Sequence, residues 1–217
     1  MEQGFVKVAS ATPRIRVADP VYNAQVICEQ AKEAAEHGAK IVVFPELCIT
    51  GYTCNDLFLQ ELLLEKAKEA LLTIAEETGQ LETLFLVGLP VDKDGRLYNV
   101  AAVLYRGRIL GMIPKKNIPM YAEFYEGRHF TPGEETVTEY RLGKQVIPFG
   151  SNLLFRCEEL PELILGCELC EDLWVAEPPS TSHALMGATV IANLSASNET
   201  VSKDDYRTLL IKASSAR

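Results

Sequence analysis

The chain has 217 residues, 47% of them hydrophobic, which suits one globular domain burying roughly 70% of the surface its unfolded form exposes. Its 30 acidic residues outnumber 21 basic ones, and no basic block interrupts that acidic field to dock a phosphate backbone, which argues against nucleic acid as a partner. No stretch reaches the roughly 18 uninterrupted apolar residues of a membrane span, and Met1 to Lys7 lack the features of a secretory signal.

The six cysteines, Cys28, Cys48, Cys54, Cys157, Cys167 and Cys170, lie mostly inside apolar segments. That usage suits reduced thiols and a cytoplasmic location. The glycosylation sequons at Asn193 and Asn198 then read as chance matches.

In chain order, the alternation of Phe5 to Ser10 predicts a strand. A helix follows, capped by Asn23, with an apolar face of Ile27, Cys28, Ala31, Ala34 and Ala35 and a left-handed stop at Gly38. The apolar run Ile41 to Phe44, ended by Pro45, reads as a strand buried on both faces. Asp56 is the expected cap of a second helix from Leu57 to about Glu77, and Leu84 to Gly88 is another buried strand. Asp94-Gly95 and Arg106-Gly107 are hairpin signals around Leu97 to Tyr105, so antiparallel strands join a mixed sheet. Pro114 to Gly133 has no clean period and reads as an ordered surface loop. The last third repeats the α/β rhythm: strand Leu163 to Cys167, a short helix near Ser182 to Met186, and strand Thr189 to Leu194. A final helix opens at Ser202, with Asp205 three residues on as a loose capping box, and runs uncapped to Arg217, as a fragment of something longer would.

Ligands of open α/β sheets bind beyond the carboxyl ends of the strands. Three residues stand there: Glu46 after Ile41 to Phe44, Lys115 after the strand ending near Ile113, and Cys170 after Leu163 to Cys167. Singly each is a weak signal. Together they supply a nucleophile, a proton carrier and a cation for an oxyanion, the needs of amide cleavage. An ammonium nearby is expected to lower the thiol pKa, and apolar surroundings to raise that of the acid. Cys167-Glu168-Leu169-Cys170 also matches C-x-x-C, which leaves a redox, metal-binding or non-catalytic module as an alternative, although Cys48 and Cys54 lack zinc-knuckle spacing. Cys167 is expected to be a buried strand residue. No phosphate-binding glycine motif occurs.

Phe44-Pro45-Glu46-Leu47, Pro114-Lys115 and Cys170-Glu171-Asp172-Leu173-Trp174 together resemble the nitrilase, or carbon–nitrogen hydrolase, superfamily, whose members use a Glu-Lys-Cys triad. Gly51-Tyr52, Asp56-Leu57-Phe58, the run Tyr121 to Glu126, Arg128, Phe130, Pro132-Gly133 and Asn193 to Ser197 are closer still to the glutaminase domains of glutamine-dependent NAD synthetases. The resemblance implies an α-β-β-α sandwich with a mixed sheet, an incomplete amidase domain over 1–217, truncated at its C-terminus. By position, Glu46 is the implied base, Lys115 (with Lys116 as its neighbouring alternative) the oxyanion partner, and Cys170 the nucleophile. Tyr121, Glu171, Ser197 and Lys203 are the implied glutamine-binding residues, Lys203 toward the α-carboxylate. No metal or other cofactor is implied for this domain. ATP, Mg2+ and deamido-NAD belong to a synthetase domain absent from the chain, to which ammonia passes. That domain and a homo-oligomer are the implied partners. Another nitrilase-type amidase acting on a small amide is the enzymatic alternative.

Overall fold

The computed structural model describes residues 4–216. Its first strand is short: β1 (Val8–Ser10) pairs in parallel with β2 (Ile41–Val43), residue for residue, so its pairing is as long as its partner. Between them runs α1 (Pro20–Glu36), which buries Ala24, Ile27, Cys28 and Ala31 along one face. Its cap is Asp19, whose carboxylate accepts the Tyr22 N–H at 3.1 Å, and Pro20, which has no N–H to leave unpaired, opens the first turn. Asn23 is therefore not the cap. It lies buried inside the helix and uses its amide to hold Arg16 and the Ile49 carbonyl.

A 3-10 stretch (Tyr52–Leu59) precedes α2 (Glu61–Glu77). Asp56 falls in that stretch, not at the start of α2, because it is committed to Arg128, which grips it through two nitrogens at 2.8 and 3.0 Å. The strands β3 (Leu84–Lys93), β4 (Arg96–Tyr105) and β5 (Arg108–Pro114) form the expected meander through Asp94-Gly95 and Arg106-Gly107, with Asp94 and Arg106 at positive φ. Three short strands escape the sequence reading: β6 (Thr138–Leu142), β7 (Gln145–Phe149) and β8 (Leu154–Arg156). β6 and β7 interleave exposed and buried residues over only five positions each, β8 has only three residues, and Pro148 interrupts the pattern of β7. The chain then forms β9 (Ile164–Leu169), α3 (Pro179–Leu185), β10 (Val190–Leu194) and α4 (Lys203–Ser215). Ser202 precedes α4 at φ +66° and makes no side-chain cap bond, so the expected capping box is absent. Arg217, the predicted end of that helix, lies outside the described residues.

Seven strands make one mixed sheet in the order β1-β2-β3-β4-β5-β7-β6, and three make a second in the order β10-β9-β8. One face of the large sheet packs on α1 and α2 through Ile27, Leu71, Phe85 and Val87. The other meets the small sheet through Leu86, Ala101, Val103, Leu165 and Ala192, and α3 covers the small sheet from outside. This is the expected α-β-β-α sandwich. Strands buried on both faces explain the continuous apolar runs. The carboxyl ends of β2 and β9, together with the end of β5, open toward one another, and the site is built there.

Candidate active site

Glu46 leaves β2 on a tight turn. Leu47 takes φ +52°, Gly51 donates back to the Leu47 carbonyl at 2.7 Å, and Gly88 of β3 lies directly beneath. A Cβ on Gly88 would come within 2.3 Å of Leu47 N and 2.6 Å of Pro45 O, so only glycine lets the two backbones approach. Lys115 follows β5 and is held at both ends of its peptide: its N–H donates to Asn99 O at 2.8 Å, and its carbonyl accepts Gly133 N–H at 2.7 Å. Cys170 begins a 3-10 turn right after β9, with φ +42°, a conformation a non-glycine residue adopts only when its surroundings enforce it. The enforcing group is Asp172, buried beneath the turn. Its carboxylate accepts Leu169 N–H at 3.0 Å, and both the backbone and side-chain N–H groups of Asn117 at 2.8 Å, tying the cysteine turn to the loop after Lys115.

Side chains from these three turns meet in a buried cluster. Lys115 Nζ donates to Glu46 Oε1 at 2.7 Å and to Glu126 Oε1 at 2.6 Å, with the lysine wholly buried. Tyr52 donates its hydroxyl to Glu126 at 2.7 Å. Glu46 Oε2 accepts the Ala196 N–H at 3.1 Å, and Cys170 Sγ lies 3.4 Å from Ser195 Oγ. Lys116, the alternative considered for the cation, instead turns outward to Glu135. Glu126, Asn99 and Ser195 were not singled out from sequence. Glu126 sits in a loop without period, and its only signal was a place in the Tyr121–Glu126 run.

Burial raises the pKa of Glu46, against the pull of Lys115. Burial also works against charge on Lys115, but Glu46 and Glu126 outweigh it and the ammonium is held more firmly than usual. The thiol departs from expectation. Burial, reinforced by the Glu46 carboxylate, pushes Cys170 up to about 12 despite Lys115. The resting sulfur is thus a thiol with a carboxylate in its field, suited to losing its proton as it attacks and not beforehand.

The expected substrate residues lie around the mouth. Tyr121, exposed, donates to Glu171 Oε2 at 2.8 Å. Ser197 N–H donates to Ser195 Oγ at 3.3 Å. Lys203 reaches over the rings of Trp174 and Phe124, 5.1 and 5.7 Å from their centroids, and is engaged with Asn198, which also binds Glu123. Cys167 is buried in β9 within the core between the two sheets; among the described residues no cluster of three metal-ligating side chains occurs. No helix among them is long and apolar enough to cross a membrane.

The family described as carbon-nitrogen hydrolase matches residues 7–217. A glutamine-dependent NAD(+) synthetase of Mycobacterium bovis is 41% identical over 216 residues, all of this chain but 32% of the relative. One from Thermotoga maritima is 35% identical over 85% of this chain and 29% of its own. The chain therefore spans about a third of the length of these relatives. Among solved structures, a glutamine-dependent NAD(+) synthetase from Cytophaga hutchinsonii superposes with a TM-score of 0.85 at 28% identity, covering 96% of this chain and 33% of that one. An amidase of the nitrilase superfamily from Nesterenkonia shares the fold, with a TM-score of 0.71 at 21% identity over 96% of this chain and 71% of its own.

Proposed function

Because the chain belongs to the carbon-nitrogen hydrolase family, we propose that it is an amidase acting on the side-chain amide of glutamine, with Cys170 as nucleophile, Glu46 as proton carrier and Lys115 as oxyanion partner. The observation that supports this reading is the buried Glu46–Lys115 pair at 2.7 Å beside the cysteine at the end of β9.

Glu46 takes the thiol proton as Cys170 attacks the amide carbon. Lys115 and the Glu171 N–H hold the tetrahedral oxyanion, each such donor contributing about 10²- to 10³-fold in rate. Glu46 passes the proton to the departing ammonia, then activates the water that cleaves the thioester to glutamate. Tyr121 and Glu171 offer a hydroxyl and a carboxylate, in that order, to the α-amino group of glutamine, Ser197 sits beside them, and Lys203 faces the α-carboxylate. In the wider role proposed here, ammonia released at this site feeds an ATP-dependent synthetase domain that amidates deamido-NAD with Mg2+; the relatives at 35–41% identity are named glutamine-dependent NAD(+) synthetases. This domain itself needs no cofactor.

The test is ammonia release from glutamine by the natural polypeptide that contains residues 1–217. Cys170→Ala is expected to lower it by at least about 10³-fold. Equal release by both proteins would overturn the reading, and a clear preference for a short aliphatic amide over glutamine would place the enzyme among the small-amide amidases.

A further inference from the structure

Asn99, fully buried on β4, directs its amide nitrogen at two carboxylates: Nδ2 donates to Glu46 Oε1 at 2.8 Å and to Glu126 Oε2 at 3.3 Å. Its Oδ1 is also buried and, among the described residues, finds no partner. A buried amide normally satisfies both ends. The opposite orientation would set the amide oxygen against two carboxylate oxygens with no hydrogen between them, so the orphaned carbonyl is the consequence of aiming the donors at the acids.

The acceptor atoms show what this achieves. Glu126 Oε1 takes Lys115 and Tyr52, and its Oε2 takes Asn99, so both oxygens are engaged. Glu46 Oε1 takes Lys115 and Asn99, which leaves Oε2, on the side of the Ala196 N–H that also faces the cysteine sulfur. We infer that Asn99 is a positioning residue that divides the roles of the two carboxylates, holding Glu46 with Oε2 alone open to proton exchange and confining Glu126 to balancing the Lys115 charge. The inference rests on the amidase reading above. The groups facing Glu46 are Lys115 at the end of β5, Glu126 in the 3-10 turn (Glu126–Arg128), Cys170 after β9, and the Tyr52 phenol behind Glu126. Two acids against one ammonium leave an excess negative charge, and Asn99 is the neutral donor placed between them.

Asn99→Leu keeps the volume and removes both donors. The ionised form of Glu46 then loses a hydrogen bond, so the acid limb of kcat/KM moves up by about one pH unit. The value of kcat falls about 10- to 100-fold while KM for glutamine holds. Asn99→Asp keeps the shape, and the introduced carboxyl donates only while protonated. Its activity is lost with rising pH across a range where the unaltered enzyme is flat. Alkylation of Cys170 by iodoacetamide, followed by mass spectrometry, gives the same pH comparison without substrate. Shifted alkylation profiles beside no ammonia release from glutamine by the unaltered protein leave the inference standing and discard glutamine. Profiles parallel to the unaltered protein in the folded variants overturn it, whatever the absolute rate; should Asn99→Leu not fold, Asn99→Asp decides.

Discussion

Lys115 carries two carboxylates on one ammonium in a site closed to water, so its removal does more than delete a contact. Replacing it by Met leaves Glu46 and Glu126 buried without a cation, a loss of about 3–5 kcal/mol for a broken buried pair. Burial raises the pKa of Glu46, and the variant loses the Lys115 charge that pulls it back down. The folded pKa of Glu46 then lies further above its unfolded one, so the deficit of Lys115→Met shrinks as pH falls from 7 to 5. Urea unfolding at the two pH values checks this, and a deficit that grew on acidification would contradict it. At this scale the sequence was informative where chain geometry is simple. Glu46 and Cys170 stand just past buried runs, a position readable from hydrophobicity alone. Choosing Lys115 over Lys116 required knowing which of two adjacent side chains points inward at the end of β5. Glu126 was out of reach because a 3-10 turn in an aperiodic loop carries no pattern to say that its glutamate is buried.

Among the elements, the turn after β2 shows how backbone contact positions a side chain. Gly88 lies so close to Pro45–Leu47 that a methyl group there has only rigid backbone to push. Gly88→Ala is expected to cost on the order of 1–3 kcal/mol, by overpacking, and to lower kcat more than it raises KM because Glu46 must move with its turn. Thermal unfolding together with steady-state kinetics tests both halves; an unchanged kcat in a destabilised protein would separate Gly88 from the site. The two misplaced caps share a cause. Asn23 and Asp56 have side chains that cap helices well, and each is instead used for a contact distant in sequence, with Ile49 and with Arg128. Local propensity cannot register such competition. The missing strands β6, β7 and β8 are three to five residues long, too short for a period to emerge.

Across the whole molecule, the reduced thiols are a store of pH sensitivity. Burial pushes Cys28 to about 11 and Cys48 and Cys170 to about 12. The unfolded chain loses these protons first, so their contribution to stability is complete below the ordinary thiol range and is lost as pH rises toward 11 to 12. Between pH 8 and 10.5, under reducing conditions, stability is expected to fall by on the order of 2 kcal/mol for each fully buried thiol among them. The denaturant midpoint measures this directly, and a constant midpoint would contradict it.

At the same scale, α4 lies on the surface with no buried residue; Tyr206 leans on Trp174 with ring centroids 5.6 Å apart, while Leu209 and Ile211 face solvent. The sequence by itself determined the α/β character, the buried strands, the hairpins and the strand-end positions of Glu46 and Cys170, because hydrophobic periodicity and turn chemistry are local. Only the tertiary structure decided that Glu126 and Asn99 join the Glu46–Lys115 pair, and that burial and Glu46 raise the Cys170 thiol despite Lys115. Those outcomes depend on which distant groups exclude water together, and burial is a property of the assembled chain.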